Sequence, residues 1–103
     1  MILYKSSDTV IQWDGLKSVR TGLYVSAATM TFTIKDVDGA ALAGATNVAM
    51  SYIAADGKYQ GTLQSTVALG VVGTHYFCEI TVTSGADLAF RRIPCVVQYK
   101  GAN

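Results

Sequence analysis

The chain has little of almost everything that chemistry at a protein site is built from. Its 103 residues include one Pro, one His and two Cys, and the single Glu is Glu79. Charged residues make up 15% of the chain, below the roughly 25% of ordinary globular proteins. The formal net charge is +1, without the basic excess of a phosphate-binding face, so nucleic acid is not an expected partner. No apolar run approaches the roughly 20 residues that cross a bilayer, and membrane partners are not expected either. Met1 to Asp8 lacks the basic segment, apolar core and small-residue cleavage site of a signal peptide. The expected place of synthesis is therefore a cytoplasm. With His75 the one imidazole and no Cys-x-x-Cys pair, no metal is expected. Cys78 and Cys95 would face each other if they lay on neighbouring strands of one hairpin, which leaves a bond between them open, but a cytosolic chain keeps thiols reduced and the favoured reading is free core thiols.

What is abundant is Thr, Val, Gly and Ala, with 50% hydrophobic residues overall. Branching at Cβ favours strands, and scarce Glu removes a leading helix former. Alternation supports an all-β reading. From Tyr24 to Lys35, the residues Ala28, Met30, Phe32 and Ile34 alternate with Thr29, Thr31, Thr33 and Lys35, the period of a half-buried strand. Asp36 to Gly39 then supplies turn chemistry, and Ala40 to Thr46 reads as a loop or short edge strand. Asn47–Ala54 and Lys58–Leu63 are strands joined at Asp56-Gly57. In Thr74–Thr83, Tyr76, Cys78, Ile80 and Val82 face one way, and His75, Phe77, Glu79, Thr81 and Thr83 the other. Ser84 to Asp87 closes another hairpin into a last strand, Leu88 to about Tyr99. There the parity of Leu88 and Phe90 differs from that of Ile93, Cys95, Val97 and Tyr99. A bulge at Arg91-Arg92 would turn both sets inward, and Pro94 fits an edge or a bulge. Val10 to Trp13 is a further short strand with a turn at Asp14-Gly15. No helical period and no repeat is visible, and about seven short strands predict an antiparallel β-sandwich. Residues 1–9 are read as an N-terminal extension or first edge strand, and residues 10–103 as one domain.

No enzyme can be assembled from these residues. The aspartates at 8, 14, 36, 38, 56 and 87 all fall in expected turns, so none is paired for acid/base work. Asp36-x-Asp38-Gly39 lacks the downstream bidentate Glu of a calcium loop. His75 has no nucleophile motif beside it, and Gly70 to Gly73 lacks the Lys and following helix of a phosphate loop. Catalytic, cofactor-binding and metal residues are accordingly expected to be none. The interface candidates are Phe77, Arg91, Arg92, Ile2, Tyr4 and Trp13. Phe77 is aimed outward by parity, and the arginines form the one basic cluster. Ile2 and Tyr4 lie in an apolar N-terminal segment that either augments a neighbour's sheet or pads this domain's own core.

Leu69-Gly70-Val71-Val72-Gly73-Thr74-His75-Tyr76-Phe77-Cys78-Glu79-Ile80 resembles the entry to the penultimate strand of fibronectin type III and other immunoglobulin-like domains. The resemblance implies that Tyr76 is a structural corner tyrosine, its hydroxyl returning to the backbone a few residues upstream. The immunoglobulin disulfide does not carry over, because Cys95 follows Cys78, and Trp13 comes too early for the core Trp. A wider pattern runs from Gly22-Leu23-Tyr24 through Ala28 to Ile34, Asp38-Gly39, Gly44-Ala45 and Met50-Ser51-Tyr52. It continues through Gly57 to Leu63 and Gly73-x-x-Tyr76. This pattern is similar to small immunoglobulin-like proteins encoded among bacteriophage structural genes: head-decoration, head-fibre, neck and tail accessory domains. It implies a non-enzymatic virion component that docks in several copies, or as a homo-oligomer, on capsid, neck or tail proteins. It has no catalytic position to transfer. The alternative is a carbohydrate- or host-surface-binding module with Trp13 and tyrosines as stacking platforms.

Overall fold

The computed structural model describes residues 1–14, 28–54, 57–84 and 87–99. Seven strands follow in order: β1 (Ile2–Lys5), β2 (Thr9–Asp14), β3 (Thr29–Asp36), β4 (Val48–Ile53), β5 (Lys58–Leu63), β6 (His75–Ser84) and β7 (Asp87–Tyr99). The described residues contain no helix. Strand order is β1-β7-β6-β3-β4-β5-β2, a mixed sheet rolled nearly into a barrel. The fold is all-β. It departs from the wholly antiparallel expectation at one edge, where β1 runs parallel to β7 with Ile2 beside Val96 and Lys5 beside Tyr99. The start of the strand expected from Tyr24, the turn at Gly15, Asp56 and the tips at Gly85-Ala86 lie outside the described residues.

Alternation in sequence becomes alternation in burial. Along β6 the inward row Tyr76, Cys78, Ile80 and Val82 is buried, and the intervening side chains are half-buried or exposed. The same period buries Met30, Phe32 and Ile34 on β3, and Thr9 and Ile11 on β2. The apolar side chains of these rows meet Leu3, Ala45, Met50, Tyr59, Leu63, Cys95 and Val97 in one core.

β4 divides the sheet. Its first half, Val48 to Met50, pairs with β3, and its second half, Ser51 to Ile53, pairs with β5. β5 also pairs with β2, so β2 and β5 pack across the core from β3. Gly61 sets the closeness of that approach. A Cβ there would sit 3.0 Å from both Met50 and Phe32, tighter than nearly all real contacts, so the missing side chain admits the two large ones. Tyr59 fills the neighbouring space, and its hydroxyl accepts the Ala28 N–H at 3.0 Å.

Between β3 and β4, Asp36 Oδ1 accepts the N–H groups of Asp38 and Ala40, and Gly39 takes φ +89°, a left-handed turn built from the expected residue types. The small-residue stretch that follows is a loop folded back on β3. Leu42 donates to the Ile34 carbonyl, Ile34 donates to the Ala45 carbonyl, and Ala41 forms a single bridge with Lys35.

The N-terminal segment belongs to this core. Leu3 is fully buried, whereas Met1 and Ile2 are exposed. Val96 donates to the Met1 carbonyl, and the Met1 ammonium donates to the Pro94 carbonyl at 3.0 Å.

Candidate interaction surface

The register of the β6–β7 hairpin determines which side chains reach solvent. Ser84 pairs with Asp87, and the ladder runs unbroken to His75 opposite Val96. The bulge expected at Arg91-Arg92 does not form. Residues directly opposite in an antiparallel ladder share a face, so Leu88 lies with Thr83, Phe90 with Thr81, Arg92 with Glu79 and Pro94 with Phe77. Leu88 and Phe90 therefore point outward, at 77% and 60% exposure, and the expectation that they turn inward is overturned. The physical reason is that the pairing of Ser84 with Asp87 sets the register of every pair beyond it, and hydrophobicity does not override it.

Unbroken alternation also separates the two arginines. Arg92 joins the outer face, where its guanidinium carbon lies 3.9 Å from the centroid of the Phe77 ring and its Nε lies 3.5 Å from Glu79 Oε2. Lys35 Nζ reaches the other carboxylate oxygen at 2.9 Å. The central Glu79 is thus shared by two cations, and Phe77 is half-covered by one of them. Arg91 shares the opposite face with Ile80, at the open end of the fold, and stacks 4.2 Å over the Trp13 ring of β2. This contact brings β7 and β2 together across the gap left by the incomplete barrel. The arginines are two separate contacts and not one basic pair.

Ile2 and Tyr4 lie on β1 beside Val96 and Gln98, which places them on the same outer face as Phe77 and Arg92. The six candidates thus divide: Ile2, Tyr4, Phe77 and Arg92 share the outer face, and Trp13 and Arg91 stack at the open end. A shallow groove of 220 Å³ runs beside Met1, His75, Pro94, Cys95 and Val96. At the other end of the face, Leu88 and Phe90 stand beside the threonines of β6, with Thr29 and Thr31 of β3 in the next row. Sequence reasoning missed these two apolar residues, although the signal was present in the Ser84-to-Asp87 turn.

Tyr76 is buried, and its hydroxyl accepts the Gly70 N–H at 2.8 Å. Lys5 Nζ donates to the Gly70 carbonyl at 3.1 Å, which ties the loop before β6 to β1. The two thiols are free and face the core. Burial first, then Cys95 and Glu79, push the Cys78 thiol up to about 12. Burial also raises Cys95, against lowering by the N-terminal ammonium and a backbone hydrogen bond. Both thiols are protonated at neutral pH and are poor nucleophiles there. Among the described residues no three His, Cys, Asp or Glu side chains gather as metal ligands. No helix among them is long and apolar enough to cross a membrane.

Fold and surface together define an all-β domain with one core and one sheet face carrying exposed apolar and threonine side chains. Compared with known proteins, the chain matches no family model, no curated protein and no solved structure.

Proposed function

We propose that the chain is a non-enzymatic accessory protein of a bacteriophage particle, made in the bacterial cytoplasm and docked on capsid, neck or tail proteins. The observation that carries this reading is the outer face, where Leu88 and Phe90 are more than half exposed among threonines. Exposed apolar side chains grouped on one face are a feature of protein-docking surfaces. Around Leu88 and Phe90 the neighbouring outer-row residues are Thr81, Thr83, Thr29 and Thr31, which makes that end of the face easy to desolvate, and the net charge of +1 does not favour nucleic acid.

The strand pairings support an immunoglobulin-like sandwich beneath this function. β2 with β5, β3 with β6 and β6 with β7 are the pairings that join strands B with E, C with F and F with G in that fold. The resemblance around Tyr76 points the same way, and the Tyr76 to Gly70 bond has the form of a tyrosine corner. The glycan-binding alternative finds less support, because Arg91 already occupies one face of Trp13, its proposed stacking platform.

The reading is tested by quantitative mass spectrometry of purified virions, followed by rebinding of labelled protein to isolated heads and tails. The expected result is a fixed copy number per particle and rebinding that fails for Leu88→Ser with Phe90→Ser. Absence from washed particles, or rebinding indifferent to both substitutions, counts against it.

A further inference from the structure

β1 is the shortest strand and the one that pairs in parallel. It has four residues, it lies at an edge with β7 as its one strand partner, and it joins β2 through only three residues, Ser6 to Asp8. Those three must reverse the chain, since β1 is parallel to β7 while the succession of antiparallel ladders makes β2 antiparallel to it. Ser6 makes the reversal at φ +59°, a left-handed conformation that its Cβ disfavours. On the far side of this connection β2 is anchored to the main body. The Asp8 carboxylate accepts the Ser65 N–H at 2.8 Å, and β2 pairs with β5 over six residues. Across the connection itself, the Tyr4 N–H donates to Thr9 Oγ1 at 2.8 Å.

What β1 leaves on release is a specific slot. The fully buried Leu3 would vacate the core, and the Val96 N–H and Pro94 carbonyl would lose their bonds to Met1. The slot recognises a strand of four residues running parallel to β7 with a Leu at its second position. A second copy of this chain carries that strand. The β1–β7 ladder would re-form between copies, whereas the strained reversal at Ser6 belongs only to the closed arrangement. A short connection under strain is the circumstance that favours exchange of an element between identical chains.

We propose that β1 is an exchangeable strand, and that two copies of this chain assemble by each placing its β1 on the β7 edge of the other. This holds independently of which larger particle, if any, the protein joins.

Deleting Ser7 removes the residue needed for the reversal and leaves the ladder untouched. Light scattering should then report twice the 10.9 kDa chain mass. Ser6→Gly, which removes the left-handed penalty, should lower the dimer fraction relative to the parent at the same concentration. To identify the exchanged element, Ile2→Cys and Val96→Cys are introduced together, because these positions are neighbours in the β1–β7 ladder. Oxidation of the Ser7-deleted dimer should give dimers on a non-reducing gel that reduction separates. A folded monomer after the deletion, or bridges confined to single chains, overturns the proposal. Should the deleted chain not fold, the double cysteine variant with the native connection is concentrated through an unfolding and refolding cycle. Bridges between chains support exchange, and bridges only within chains overturn it.

Discussion

The two faces of β6 share one backbone and one hairpin and obey different rules. Its inner row, Tyr76, Cys78, Ile80 and Val82, is selected by volume in a close-packed interior, where one missing methylene is felt. Its outer row, His75, Phe77, Glu79, Thr81 and Thr83, carries one carboxylate shared between Lys35 and Arg92 and a Phe77 ring stacked against Arg92, and is only partly buried. The inner face packs into the shared core, and the outer face leaves Leu88 and Phe90 exposed to solvent.

The sharpest way to break this comparison is to damage the inner side. Phe32→Ala, opposite Ile80 on the adjoining strand, should cost about 3–5 kcal/mol in urea unfolding, because Phe32 is fully buried against several elements. A second test uses pH. The native Cys78 thiol stays protonated up to about 12, whereas an unfolded one ionises near 9.0. The unfolded state therefore binds fewer protons between those values. The contribution is fully present below pH 9 and is lost as pH rises, at about 1.4 kcal/mol per pH unit. Cys78→Ala should flatten that alkaline slope in pH-resolved denaturation, and an unchanged slope would assign the loss to other groups.

Smaller effects sharpen the boundary between the faces. Gly61→Ala pushes a methyl against Met50 and Phe32 and should destabilise by about 1–3 kcal/mol, read as a lowered urea midpoint at constant slope. Tyr76→Phe keeps the inward ring and removes the acceptor for Gly70 N–H. The expected cost is about 1 kcal/mol, with faster amide exchange at Gly70. Leu88→Ser with Phe90→Ser should lie within about 0.5 kcal/mol of the parent in thermal unfolding while removing particle binding. Large destabilisation by that last pair would mean that the outer face also holds the fold.

Much of the fold was legible because period 2 is a local property. The inward rows of β3 and β6, the turn residues at Asp36 to Gly39 and the buried Tyr76 could all be read from neighbouring residues. The surface was less legible. Hydrophobicity alone turns Leu88 and Phe90 inward, whereas the pairing of Ser84 with Asp87 puts them in register with Thr83 and Thr81. Adjacency makes the two arginines look like a pair, although adjacent side chains on a strand point to opposite faces. One therefore meets Phe77 and the other Trp13.

By itself the sequence determined the strand class, the alternation and the turns, since each depends on sterics within a few residues. It also excluded a strongly charged surface, because so few charges are present. Only the tertiary structure decided that β1 lies parallel to β7, that the sheet rolls until Arg91 reaches Trp13, and that Leu3 plugs the core. Those contacts join residues distant along the chain, and their geometry follows from how twisted strands close around a shared interior.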